Sequence, residues 1–309
     1  MSQIPGKKIN AVFEGGGVKG SALVGAAVET EARGYQFENI AGTSAGAILA
    51  ALLAAGYSAK EVVGIMNDLD YELFKDPTTL TKIPYIGAGL SIIFNKGIYA
   101  GHFFEQWLQG LLSKKNVFTF KDLVIPEYAN YMQFRYKLQV IASDITNGRL
   151  LVLPRDGIQY GIPPDEFPVA LAVRMSMSIP YFFTPVIMKS DHKQAYIVDG
   201  AVLSNYPVWL LDDGTTNPLV PTVGYKLVDP VEGRAHDING PVTLFEALFE
   251  TMMEAHDARY IEDADFKRTI PIPTLGVHTT DFSITRDTKD KLFASGQAAA
   301  AEFFGRVKS

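Results

Sequence analysis

The chain contains no cysteine in its 309 residues. That excludes disulfides, a cysteine nucleophile and a cysteine zinc site, and it leaves the redox compartment open. Concentrated positive charge is also missing. Lys and Arg number 28 against 34 Asp and Glu, for a net charge of −6, and they are scattered. No nucleic-acid partner is expected from such a surface. Long apolar runs are absent too. The longest, Ala47–Gly56, is too short to span a bilayer. The opening residues Met1–Lys8 lack the apolar core of a secretory signal, so a cytoplasmic location is the default expectation, with signal-less secretion left open. The five histidines, His102, His192, His236, His256 and His278, show no metal-ligand spacing. No repeat, low-complexity tract or break in composition divides the chain, so residues 1–309 read as a single domain. Its 47% hydrophobic content suits a globular chain with a sizeable core.

The strongest feature present is Gly42-Thr43-Ser44-Ala45-Gly46. It lies between an apolar strand pattern, Phe37–Ala41, and a strong helix former, Ala47–Ala55. The G-x-S-x-G spacing puts a serine on a sharp strand-to-helix turn. Small residues at Gly42 and Gly46 permit that turn and leave the hydroxyl exposed at a helix N-terminus, where the helix dipole favours negative charge. The bland alternative is an ordinary Gly/Ser helix start.

A glycine cluster precedes it: Gly15-Gly16-Gly17-Val18-Lys19-Gly20, after a strand pattern Ile9–Phe13 and before a helical stretch Ser21–Arg33. Bare backbone amides converging there suit an oxyanion. The same residues match the dinucleotide fingerprint G-x-G-x-x-G. That reading requires an acidic residue at the end of the next strand. The strand runs instead into Gly42-Thr43-Ser44, and Glu38 lies near its start. A Walker loop fails because Lys19 precedes Gly20. The third segment, Tyr196-Ile197-Val198-Asp199-Gly200-Ala201, delivers an aspartate into a glycine turn, with Asn205 and Pro207 beyond. It reads either as a plain Asp-Gly turn or as a carboxylate aimed at the sheet edge that holds Ser44.

Strand and helix patterns alternate through the rest, which predicts an α/β fold with a largely parallel or mixed sheet. Ser58-x-x-Glu61 is a capping box for a helix to about Asn67. Helices are also expected over Gly101–Leu112, Pro163–Ser178, Thr243–Asp263 and Asp287–Val307. A hairpin is expected from Arg135–Ile145 and Arg149–Pro154 about Asn147-Gly148, and a strand over Thr222–Val228. Asp76–Phe94 reads as either a buried core loop or an apolar flap that touches lipid.

The three chemical segments, in this order, resemble the patatin-like phospholipase family. Gly15–Gly20 looks like its oxyanion loop, Gly42–Gly46 like its nucleophile elbow and Asp199-Gly200-Ala201 like its Asp-Gly-Gly/Ala motif. Ala172–Pro180 resembles its helix-to-proline block, although the family has alanine where Arg174 or Met175 stands. Weaker echoes are Lys96–Tyr99, Phe120–Leu123 and Ala142–Asp144. The resemblance implies a three-layer patatin-like fold with a central mostly parallel or mixed sheet flanked by helices. It implies a lipid acyl hydrolase of phospholipase A or lysophospholipase type, acting on a phospholipid or lysophospholipid; the flap reading of Asp76–Phe94 adds a transient contact with a membrane surface. Ser44 and Asp199 would form the catalytic dyad. Gly15, Gly16, Gly17 and Val18 would form the oxyanion hole, supported by Lys19, Gly20, Gly42, Gly46 and Gly200. No metal or organic cofactor is needed for that chemistry. A Ser–His–Asp triad would draw on His236, His256 or His278, but the serine comes too early in the chain for that layout. Other readings are an esterase or depolymerase on non-membrane esters, a nucleotide-binding module and a non-catalytic lipid binder.

Overall fold

A computed structural model describes residues 7–68, 76, 95–190, 193–215, 218, 220–229, 238–260, 267–279, 281 and 284–306. The Asp76–Phe94 segment, read as either a core loop or a flap, lies outside the described residues except for Asp76. That carboxylate accepts the N–H groups of Gly101 at 2.6 Å, His102 at 2.8 Å and Phe103 at 3.1 Å. It therefore caps the next helix.

Strand β1 (Lys7–Phe13) enters α1 (Gly20–Ala32) through a short 3-10 turn, Gly17–Lys19. Strand β2 (Tyr35–Thr43) enters α2 (Ala45–Ala54), and α3 (Ala59–Asn67) follows. The Ser58–Glu61 capping box is formed on both sides. After β3 (Gly97–Tyr99) comes α4 (His102–Ser113), which buries Phe104, Leu108 and Leu112 at four-residue intervals. The expected hairpin is β4 (Leu138–Asp144) and β5 (Arg149–Leu153). The helix expected from Pro163 is shorter. A 3-10 turn at Pro164–Glu166 precedes α5 (Val169–Ser176), which begins after Pro168, where the missing N–H is least costly. Then follow β6 (Tyr181–Phe183), β7 (Val186–Ser190), β8 (Lys193–Asp199), β9 (Thr222–Val228), α6 (Pro241–Tyr260), β10 (Thr269–Pro273) and α7 (Arg286–Arg306).

Among the described residues the central sheet runs β10-β9-β1-β2-β4-β8-β7, with β5 also on β4. From β10 to β4 every pairing is parallel, whereas β5, β8 and β7 add antiparallel pairs. Side chains alternate between its faces. Ala11, Phe13, Ile40 and Val140 join the large core with α1 and α2. Val12, Ala41, Ile141 and Val152 meet Tyr206, Val208, Leu210 and Leu211 on the other face. Helix α2 is apolar all round because it is enclosed: every residue from Gly46 to Ala54 is buried. Helices α1 and α7 touch backbone to backbone. A Cβ on Gly25 would sit 2.0 Å from the Phe293 carbonyl oxygen, and one on Gly296 would sit 1.8 Å from that of Ala22.

Candidate active site

Ser44 occupies the junction between β2 and α2 with φ 52° and ψ −124°, in the left-handed half of the map that an L-residue seldom adopts. Its N–H donates to Ser176 Oγ at 2.9 Å. Gly46 makes the elbow feasible. A Cβ there would lie 2.4 Å from the Phe13 carbonyl oxygen, so only glycine lets α2 start against the end of β1. Gly42 is equally confined against the Gly46 carbonyl, and Gly20 brings the start of α1 against Ala45. The expectation of an exposed hydroxyl is not met: Ser44 is only 5% exposed. The glycine loop lies over it, with the Cβ position of Gly15 3.2 Å from Ser44 Cβ.

Asp199 ends β8 and is fully buried. Its N–H donates to the Ser178 carbonyl at 2.9 Å, and its Oδ1 accepts the Ala201 N–H at 2.9 Å. Its Oδ2 is buried with no hydrogen-bond partner among the described residues. Burial pushes the carboxyl up to about 7, against the opposing pull of the Ala201 N–H and the nearby Ser44 hydroxyl. Gly200 is needed because a Cβ would lie 2.4 Å from the Ile141 carbonyl oxygen. The Ser176–Ser178 segment therefore grips the backbone of both Ser44 and Asp199. Arg174 ties that segment down. It donates to the Ser178 hydroxyl and to the carbonyls of Ala100 at 2.6 Å and Thr184 at 2.9 Å.

The glycine loop is only partly free to donate. The Gly15 N–H is taken by the Asn205 carbonyl at 3.1 Å and the Val18 N–H by the Thr279 carbonyl at 3.2 Å. This corrects the expectation that all four amides from Gly15 to Val18 are available. Gly16 and Gly17 N–H have no acceptor among the described residues. Gly17 has φ +54°, and a Cβ there would lie 2.1 Å from the Thr279 carbonyl oxygen. Lys19 is half-buried at the end of the 3-10 turn and makes no ion pair among the described residues.

The sequence reading missed what holds this loop. Glu14 is a buried carboxylate that accepts from Lys226 Nζ at 2.9 Å, from Asn205 Nδ2 at 3.3 Å and from the Leu227 N–H. The only sequence signal was a charged residue at the end of an otherwise apolar strand. Among the described residues no histidine is hydrogen-bonded to Ser44 or Asp199, and no group of His, Asp and Glu could hold a metal ion. His278 instead lies 3.6 Å from Glu250. His192, His236 and the His256 side chain lie outside the described residues.

A strand–serine–helix elbow, a glycine loop and a buried carboxylate at one edge of a mixed α/β sheet are the arrangement of the patatin class. A family model for patatin-like phospholipase matches residues 11–212, and this chain belongs to that family. Uncharacterized protein YqhO of Bacillus subtilis (strain 168) is 42% identical over 290 residues, covering 94% of this chain and 95% of that protein. Uncharacterized protein R571 of Acanthamoeba polyphaga mimivirus is 27% identical over 66% of this chain and 61% of its own length. Among solved structures, VipD from Legionella pneumophila shares the fold with a TM-score of 0.59 at 17% identity, over 97% of this chain and 67% of VipD. A chain of the ExoU–SpcU complex from Pseudomonas aeruginosa does so at 0.54 and 19% identity. There the match covers 97% of this chain but 52% of the other. No helix among the described residues is long and apolar enough to cross a membrane.

Proposed function

We propose that this chain hydrolyses carboxylic esters of phospholipids or lysophospholipids, with Ser44 as nucleophile and Asp199 as the only side-chain base. The observation that carries this reading is the fully buried carboxyl of Asp199 beside Ser44, its proton affinity raised to about 7. An exposed aspartate near 3.9 is a poor base at neutral pH, and burial removes that handicap. Asp199 takes the Ser44 proton as Oγ attacks the ester carbonyl. The N–H groups of Gly16 and Gly17 hold the oxyanion, each donor being worth ~3 kcal/mol in comparable sites. The N-terminus of α2 adds favourable potential. Protonated Asp199 then passes its proton to the leaving alcohol, and water releases the acyl group.

A lipid substrate is supported by the surface next to the site. Helix α6 packs on the Gly200–Val202 turn that follows Asp199. It buries Phe249 and Met253 on one side and exposes Leu244, Leu248 and Met252 on the other. The exposed Tyr181 ring lies edge-on to Phe245, 4.6 Å between centroids. Apolar insertion of this face into a lipid surface needs no basic patch, which the chain lacks.

Covalent labelling with a fluorophosphonate, followed by peptide mass analysis, tests the assignment. Label on Ser44, absent from Ser44→Ala, is the expected result. An unlabelled but folded wild-type protein would overturn it.

A further inference from the structure

Asn205 follows β8 and is 3% exposed, yet its Oδ1 has no hydrogen-bond partner among the described residues. The orientation of its amide is fixed. Nδ2 donates to two acceptors, Glu14 Oε1 at 3.3 Å and the Gly15 carbonyl at 3.2 Å. Rotating the amide would set its oxygen against a carboxylate and a carbonyl. Oδ1 therefore points the other way, past Gly15. A single Cβ position on Gly15 would lie 2.3 Å from Asn205 Oδ1 and 3.2 Å from Ser44 Cβ. The oxygen thus faces the serine across a residue that has no side chain.

Two buried acceptors near Ser44, Asp199 Oδ2 and Asn205 Oδ1, thus lack a hydrogen-bond partner among the described residues. Leaving a buried acceptor unpaired is costly, and such atoms are normally met by a donor. The Ser44 hydroxyl carries one proton and can serve one of them. Once Ser44 is acylated it carries none, and both acceptors lack a donor. A water molecule has two protons, one for each acceptor.

We infer that Asn205 is a further catalytic residue, which holds the hydrolytic water over acylated Ser44 through its Oδ1. This rests on the proposed Ser44–Asp199 mechanism. The water oxygen bonds to the acyl carbon while one of its protons passes to Asp199. The other proton stays on the oxygen, donated to Asn205, and leaves with the product acid. The bond from the acyl carbon to Ser44 Oγ breaks, and Oγ recovers the proton from Asp199.

The test separates acylation from deacylation with p-nitrophenyl butyrate, using the nitrophenol burst and intact-protein mass. In Asn205→Ala, deacylation should fall at least tenfold more than acylation, and butyryl-Ser44 should accumulate. Methanol, with one O–H, needs only Asp199. The ratio of methyl butyrate to butyric acid should therefore rise about tenfold in the variant. Gly16→Ala serves as control: its new Cβ meets Leu227 and not Asn205, it disturbs an oxyanion donor that both steps use, and it should slow both steps together with an unchanged ratio. Asn205→Ser provides the same comparison if the alanine variant does not fold. Equal slowing of both steps with an unchanged product ratio would make Asn205 a mere prop of the loop and overturn the inference. An unlabelled Ser44 in the wild type would instead remove the mechanism on which it rests.

Discussion

Thr43 and Asp199 stand opposite consecutive residues of one strand, Ile141 and Ala142 of β4. Both of those residues also pair with β5, which occupies the other edge. Strands β2 and β8 must therefore share a single edge of β4, arriving from opposite ends with their C-terminal residues meeting. The residue after Thr43 is Ser44. Hydroxyl and carboxylate are thus placed by strand register rather than by flexible loops, which favours a fixed geometry.

That placement stores strain at Ser44, whose φ is 52°. Ser44→Ala should lose ester hydrolysis and melt close to the wild type, since the strained backbone is kept and one hydroxyl is lost. Ser44→Gly should be equally inactive yet more stable by about 1 kcal/mol, because glycine adopts this conformation freely. Calorimetry on the three proteins checks the order. A Ser44→Ala protein that retains wild-type turnover would remove Ser44 as nucleophile.

Asp199 should separate activity from stability. Its folded-state pKa of about 7 lies above its ordinary value of 3.8. Its contribution to stability is therefore fully present below pH 3.8 and is lost as pH rises through 7. Asn at this position has no charge to bury. Asp199→Asn should be more stable than wild type at pH 8, by up to about 4 kcal/mol, and the gap should close near pH 4. Its turnover should fall by several orders of magnitude. Wild-type kcat/KM should climb with pH through about 7 as the base ionises. Alanine at each of His102, His192, His236, His256 and His278 should preserve most activity. A folded histidine variant as inactive as Asp199→Asn would replace the dyad with a triad.

The chemistry-bearing segments were legible because each is local. A serine between small residues, three glycines at a strand end and an Asp-Gly turn each announce themselves within six positions. Helices α3 and α4 were legible from a capping box and a four-residue apolar repeat. The long-range partners were not. Glu14 and Lys226 meet across 212 positions, and Thr279 takes the Val18 N–H through a backbone carbonyl that no side chain advertises. Strand β10 was hidden by Pro271 and Pro273, which disfavour a strand, yet it lies at the sheet edge where a missing N–H is tolerated. The burial of Ser44 also escaped, because motif spacing does not show what folds over it.

The two glycines left as oxyanion donors should respond differently to alanine. At Gly16 the new Cβ would meet Leu227 Cδ1 at 2.1 Å, the far end of a side chain that can move. Gly16→Ala should fold and lose kcat with little change in KM, since the donor acts on the transition state. At Gly17 the clash is with the Thr279 backbone, on top of φ +54°. Gly17→Ala should lower Tm as well as kcat. Steady-state kinetics with thermal melts distinguishes the two. A Gly16→Ala enzyme with a raised KM and unchanged kcat would assign the loop to substrate binding instead.

Glu14 should matter to both fold and rate. It is buried and paired with a largely buried Lys226. Removing one member of such a pair strands the other charge and typically costs about 3–5 kcal/mol. Glu14→Gln keeps the shape and some hydrogen bonds, so about 2 kcal/mol is expected in chemical denaturation, within the span of ordinary buried-polar losses. Turnover should fall with it, because Glu14 also fixes Asn205 and leads directly into the glycine loop. A variant that loses stability and keeps full kcat would show that the loop holds its position without this anchor.

The exposed flank of α6 gives the last prediction. Leu244, Leu248 and Met252 recur every four residues, so they form one stripe beside the turn that follows Asp199. Being already exposed, they contribute little to the core, and serine at Leu248 and Met252 should leave the stability within about 0.5 kcal/mol of wild type. Hydrolysis of a short soluble ester should be unchanged. Hydrolysis of phosphatidylcholine vesicles should drop several-fold, and so should co-sedimentation with them. The loss should be insensitive to salt, because the contact is apolar. Equal loss on vesicles and on the soluble ester, with a lower Tm, would show that the stripe supports the fold and that the lipid surface meets the protein elsewhere.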